Sequence, residues 1–219
     1  MGKLGLGCVA LIVVIAVILG ISMAGTYNRL VTSGQAVDAQ WANVESAYQR
    51  RADLIPNLVS TVQGAANFEK STLEAVINAR ASVGRAQINA PTAPTDPAQL
   101  AQFEAAQGQL GSALQRLLVV VEQYPELKAN QNFRDLQAQL EGTENRINVE
   151  RNRYNETAQG YNTLRQKFPT NLFASLFGFK EKAYFKAQEG SDRAPKVDFN
   201  FGGPAGASPP AGVQPSARP

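Results

Sequence analysis

Residues 133–168 read FRDLQAQLEGTENRINVERNRYNETAQGYNTLRQKF. Phe133, Leu140, Ile147, Tyr154, Tyr161 and Phe168 stand seven apart, and Leu136, Thr143, Glu150, Thr157 and Leu164 form a second row beside them. Two adjacent rows at this spacing are the buried seam of a long helix packed against other helices. Pro169 stops it. The same pattern recurs upstream. Val37, Val44 and Leu58, beside Trp41, Tyr48, Ile55 and Val62, mark a first helix reaching about Ala66. Leu73, Val76 and Val83 give the face of a second, with Asn67 as its candidate cap. Phe103, Leu110, Leu117 and Tyr124, beside Gln107, Leu114 and Val121, give a third, opened by Asp96-Pro97 and ended or turned at Pro125.

Between the second and third helices, residues 90–97 read APTAPTDP, whose prolines make a linker. Residues 197–201, VDFNF, are a candidate short extended segment. From Gly202 the chain is Gly, Pro, Ala and Ser with little apolar bulk, too little to offset its ordering entropy, and is expected to be disordered.

Ahead of the first seam, residues 4–28 carry no charge and centre on VALIVVIAVILGI. About 20 apolar residues suffice for a membrane-spanning helix. Ser22-Met23-Ala24 resembles a small-x-small cleavage site, so a removable signal peptide is the rival reading. A lipoprotein signal would need its apolar run before Cys8, and here the run follows it. A retained anchor is therefore expected, with Lys3 inside and the bulk of the chain extracytoplasmic, although Arg29 on the other flank weakens the orientation signal.

The expected fold is all-α: an N-terminal transmembrane helix, then an antiparallel up-down four-helix bundle with long first and fourth helices of about 60 Å and a second nearer 30 Å. The expected divisions are residues 1–26 as anchor, 27–187 as bundle and 188–219 as tail. In such a bundle the fourth helix ends near the bilayer.

Composition limits function. The 21 basic and 18 acidic residues are spread along the chain, which gives no nucleic-acid footprint. There is no histidine, and Cys8 is the only cysteine. The commonest general base and metal ligand are thus missing, and no disulfide can form within the chain. No nucleophile–base pair, metal-ligand set or glycine-rich phosphate loop is visible. No enzyme and no cofactor are expected.

The sequence resembles the LemA family, bacterial membrane-anchored helical-bundle proteins, from about Tyr27 to Phe185. The resemblance is carried by Tyr27-Asn28-Arg29-Leu30-Val31, by Val37-Asp38-Ala39-Gln40-Trp41, and by the run QRRADLIPNLV at residues 49–59. Further matches are Ala79-Arg80, the run EQYPELKA at residues 122–129, Leu136-Gln137 and Leu140. Glu144-Asn145-Arg146-Ile147, Arg151, Arg153-Tyr154-Asn155, Tyr161-Asn162, Phe168-Pro169 and Phe177-Gly178-Phe179 complete it. The family's usual histidine near Phe68-Glu69 is Asn67 here, which argues against a role needing imidazole. The resemblance implies a single-pass protein of the bacterial cytoplasmic membrane and no known reaction. It also implies links to membrane proteases or to membrane remodelling, magnetosome-associated relatives included.

Charge inside the seams raises a separate expectation. Arg51 falls on the row of Val44 and Leu58, Arg80 lies between Val76 and Val83, and Glu150 lies on the row of Leu136 and Leu164. Buried charges are normally paired. A structural ion network of Arg51 or Arg80 with Glu150 is expected, with Asp53 and Glu122 as alternates. The competing reading has these side chains snorkelling out of a loose seam. Pro56 either restarts the first helix or kinks it, freeing the Ala52 carbonyl for Arg50 or Arg51. Asn155 and Asn162, each after a seam tyrosine, face another helix, another subunit or solvent.

Residues 168–185 hold an aromatic end. Leu172, Phe173, Leu176, Phe177 and Phe179, with Lys180 and Lys182, suit a helix at the bilayer surface with lysines at phosphate level. The other reading has the phenylalanines capping the bundle. Together these features point to a membrane-anchored, non-enzymatic scaffold whose partners are the lipid bilayer and further copies of itself. The alternative is an accessory subunit of a membrane protease or envelope quality-control complex.

Overall fold

The computed structural model describes residues 2–65, 68–86 and 92–186. Among them every regular element is helical: α1 (Gly2–Gln63), α2 (Lys70–Arg85), α3 (Pro97–Val121), α4 (Pro125–Ala129), α5 (Gln131–Gln166) and α6 (Thr170–Leu176). The Asn67 cap, the start of the proline linker, the segment at 197–201 and the tail from Gly202 lie outside the described residues.

α1 changes character along its length. Its N-terminal part is long and apolar enough to cross a membrane, and none of that stretch is buried against protein. Large apolar side chains there are exposed, from 48 % at Ile15 to 69 % at Ile21, an energetic liability in water. From Leu30 onward the helix is amphipathic. Val37, Trp41, Val44, Tyr48, Ile55, Leu58 and Val62, the two rows read from the sequence, are all buried.

Contacts set the helix directions. Gly34 lies against Tyr161, Gln40 bonds Glu150, and Arg51 pairs with Glu144, so α5 runs antiparallel to α1. Phe103 packs on Trp41 and Tyr48 while Gln107 meets Arg51, so α3 runs parallel to α1. Phe68, just before α2, packs on Tyr124, just after α3, with ring centroids 5.0 Å apart, so α2 and α3 are antiparallel.

Local chemistry sets the boundaries. Asp96 caps α3, accepting from the Ala98 amide at 2.8 Å, with Pro97 in the first turn. Asn130 caps α5, accepting from Phe133 N at 3.3 Å. One short helix, α4, was not expected, whereas α6 falls in the stretch read as a short helix at the aromatic end. Pro125 does not simply end α3; it stands in the first turn of α4. Phe168 departs from the seam as well and is 80 % exposed. Proline disfavours helical geometry in the residue before it, so α5 ends at Gln166 and the last position of the row is lost.

The interior falls into two apolar clusters. One contains Leu30, Val37, Trp41, Val44, Tyr48, Phe103, Ile147, Tyr154 and Tyr161. The other contains Ile55, Leu58, Val62, Val76, Leu110, Leu117, Phe133 and Leu140. The boundary falls at Arg51 on α1, Gln107 on α3 and Thr143-Glu144 on α5.

α1 is not restarted at Pro56; it continues through it. A proline cannot donate to the carbonyl four residues back, so Ala52 O loses its helical partner. Arg80 of α2 supplies one, its Nε donating at 3.1 Å. The donor is neither Arg50, which is exposed, nor Arg51, whose guanidinium is held by α3 and α5. Arg80→Ala is expected to lower stability by about 1 kcal/mol. Pro56→Ala returns an N–H to the same carbonyl, so in that background the cost of Arg80→Ala falls toward zero. Denaturant unfolding followed by circular dichroism measures both, and equal costs in the two backgrounds would separate Arg80 from the carbonyl.

Candidate functional site

Two polar assemblies interrupt the apolar interior. The first is the Arg51 layer. Arg51 is 3 % exposed. Its Nη1 donates to Glu144 Oε2 at 2.7 Å, and its Nη2 donates to the side-chain oxygen of Gln107 and to the Gln107 carbonyl at 3.4 Å. The Tyr48 ring lies 5.2 Å from the guanidinium carbon. Glu144 is half exposed, so one end of the pair reaches water and the desolvation cost is reduced.

The second assembly lies toward the end of the helical array where α1 leaves its apolar stretch. After α6 the chain reverses at Gly178, whose φ of +73° suits glycine. Residues 179–185 then run as an extended strap along α5. Asn162 makes a reciprocal pair with Lys182: its Nδ2 donates to Lys182 O and its Oδ1 accepts from Lys182 N, both at 2.9 Å. Asn155 does the same with Phe185, at 3.0 and 2.9 Å. The Tyr161 hydroxyl donates to Lys180 O at 3.0 Å and the Tyr154 hydroxyl to Ala183 O at 2.9 Å.

The spacing explains why the rungs fit. Seven helical residues advance about 10.5 Å, and three extended residues advance about 10 Å. The Tyr-Asn repeat on α5 therefore meets the strap at every third residue. The Phe185 ring closes the strap by stacking on Trp41, with centroids 5.9 Å apart, beneath the Arg151 guanidinium at 4.6 Å.

Asp38 of α1 binds this strap to the linker before α3. Its Oδ1 accepts from Lys182 Nζ at 2.7 Å and from Ala93 N at 2.8 Å. Lys182 Nζ also donates to Ala93 O at 3.3 Å, and Ala183 N donates to Pro94 O at 2.9 Å. Beside this knot an open groove of about 350 Å³ is lined by Gly34, Asp38, Thr92, Tyr161, Lys180 and Lys182, among others. Among the described residues no group of three or more acidic, histidine or cysteine side chains gathers as a metal set would.

Over residues 40–199 the sequence matches the LemA family. The chain belongs to the LemA family. It is 30 % identical over 209 residues to magnetosome protein MamQ 2 of Paramagnetospirillum magneticum, covering 87 % of this chain and 77 % of the relative. To magnetosome protein MamQ of Magnetospirillum gryphiswaldense it is 28 % identical with the same coverage. Protein LemA of Metamycoplasma hominis is 24 % identical over 165 residues, covering 75 % of this chain and 71 % of that protein.

In this LemA-family chain the expected ion network is divided among separate levels. Arg51 pairs with Glu144, not Glu150, because the antiparallel register of α1 and α5 sets Glu150 opposite Gln40, whose Nε2 donates to it at 2.8 Å. Arg153 and Arg146 flank Glu150 at 3.4 and 3.9 Å. Asp53 is exposed and accepts from Gln49 at 2.8 Å. Glu122 pairs with Lys128 at 2.5 Å. Arg80 serves the Ala52 carbonyl.

Of the aromatic-end residues, Leu172, Leu176, Phe177 and Lys180 are exposed, and Phe173 and Phe179 are partly buried. Lys182 is a correction: it is 8 % exposed and turned inward to Asp38, an unscreened carboxylate being a better partner than water. Asp38 and the strap were missed by sequence reasoning. The repeated Tyr-Asn pair was the visible trace of the strap.

Burial pushes Tyr48, Tyr154 and Tyr161 above the usual tyrosine value of 10.0. An unfolded tyrosine ionises first, so their stabilising effect is complete below about pH 10 and is lost as pH rises beyond it. Stability should stay flat across neutral pH and fall above pH 10, and the fall should shrink in a Tyr154→Phe, Tyr161→Phe variant. Asn162→Ala should cost about 1–3 kcal/mol and speed hydrogen exchange at the Lys182 amide selectively; unchanged exchange there would refute the ladder.

Proposed function

We propose that the protein is a membrane-anchored, non-enzymatic scaffold: a four-helix up-down bundle on a single α1 anchor, held against the bilayer by α6. The proposed site is the bacterial cytoplasmic membrane, with the bundle outside the cytoplasm and further copies of the chain as partners. One observation carries the reading. Tyr27, six residues past Ile21, packs edge-on against Phe177 and Phe179, with centroids 5.2 and 5.6 Å apart. The outward face of α6 thereby lies level with the emergence of the apolar helix.

That face is Leu172 and Leu176, spaced by four and 59–71 % exposed, with Phe168, 80 % exposed, just ahead of the helix. In water such a stripe is unfavourable, and in an interfacial layer it is stabilising. The non-enzymatic part of the reading is supported by the use of the interior charges. Arg51, Asp38, Lys182 and Glu150 each bind a neighbouring helix, strap or linker.

The test uses the full chain in proteoliposomes, with Cys8 replaced by serine and single cysteines carrying a polarity-sensitive dye at Leu176 or Val119. Brominated acyl chains should quench the label at 176 and not that at 119. Equal, weak quenching at both sites would remove the bilayer contact, and release of the protein by alkaline carbonate would remove the anchor.

A further inference from the structure

Among the described residues nothing occupies the groove beside Asp38, and its position gives it a candidate. On α1 it begins at Leu30 and extends to Asp38. The first charge after the uncharged run is Arg29, so the groove opens one residue beyond the end of that run. Eight helical residues rise about 12 Å, and a headgroup layer is about 5–8 Å deep on each side of the hydrocarbon. The lower part of the groove therefore overlaps headgroups, a placement that rests on the membrane-anchored reading above.

Its walls divide by chemistry. Leu30, Val31 and Phe179 are apolar, while Thr92, Thr95 and Lys180 offer donors. The carboxylate at the groove, Asp38, is committed to Lys182 and to the Ala93 amide. That pairing cancels the Lys182 charge. Nearby Glu181 lies 3.8 Å from Arg165. Among the described residues no acidic side chain pairs with the exposed Lys180, so the groove keeps one net positive charge. A quaternary or primary ammonium would find no free carboxylate, whereas a phosphate would find an ammonium and two hydroxyls. A pocket of about 350 Å³ is within the range that holds a small polar ligand.

We propose that this groove binds the phosphate of an anionic glycerophospholipid, with Lys180 as the charge partner, Thr92 and Thr95 as hydroxyl donors, and the partly exposed Val31 and Phe179 against the glycerol and upper acyl chain. The bound lipid fastens the strap and the linker before α3 to the membrane surface.

The experiment titrates the full chain, isotope-labelled in a mild non-ionic detergent, with dihexanoyl phosphatidylglycerol, dihexanoyl phosphatidylcholine or inorganic phosphate. The amide signals of Gly34 on α1 and Gly178 in the turn after α6, both lining the groove, are followed by NMR. Phosphatidylglycerol should move both signals saturably, and the other two should not. Lys180→Gln should weaken the effect about 5-fold, the value of roughly one surface lysine at an anionic interface. Lys70→Gln, remote on α2, should leave it unchanged.

Equal response to phosphatidylcholine would overturn the charge selectivity. Equal response to inorganic phosphate would overturn a lipid as the source. No response would overturn the site. Because the titration is done in detergent, silence here with a quenched label at 176 removes this proposal alone. An unquenched label with a phosphatidylglycerol response removes only the bilayer contact of α6.

Discussion

A guanidinium cannot sit in an apolar seam unpaired, and this constraint organises the fold around Arg51. The charge needs a carboxylate and an amide oxygen at one level, and Glu144 on α5 and Gln107 on α3 provide them. Apolar residues tolerate sliding by a turn with modest loss, since leucine packs on leucine in many registers. An arginine slid by one turn would leave its partners and remain a buried charge. The layer thus ties three helices together at one level, and the two apolar clusters lie on either side of it.

The same need for polar pairing recurs at smaller scale. Pro56 removes one donor, and Arg80 restores it from another helix, so a break in local hydrogen bonding becomes a tie between α1 and α2. The strap follows the same logic. An extended segment has unpaired backbone groups on both edges. On α5 those groups are met by side-chain amides and hydroxyls, which do for one strand what a neighbouring strand would do in a sheet. Because the rungs contact backbone, the register of the strap is set by α5, and the Lys182 and Phe185 side chains add contacts to α1.

Helical seams were legible because periodicity is a local property. The rows through Val37 and Trp41 are buried as read, the row through Phe103 and Leu110 is buried as far as Leu117, and Asp96-Pro97 opens α3 as its chemistry requires. What could not be read was the level at which one helix meets the next. Arg51 was seen as needing a partner, but choosing Glu144 over Glu150 requires the offset between α1 and α5, which no single helix encodes. Lys182 was misjudged for a related reason. Its place among phenylalanines suggested an interface, whereas its ammonium is drawn to an aspartate on α1. Asn155 and Asn162 were noticed by their spacing, yet their partner lies in a segment without periodicity of its own.

The unbroken course of α1 has a mechanical consequence. The helix passes from its apolar stretch into its packed, amphipathic part with no intervening loop, and Pro56 does not interrupt it. From Asn28 to Gln63 it extends about 52 Å. A rod of that length has no swivel at its base, so a tilt of about 10° at the lower end would sweep the upper end sideways by about 9 Å. Any stress that leans the lower segment is thus levered to the far end of α1.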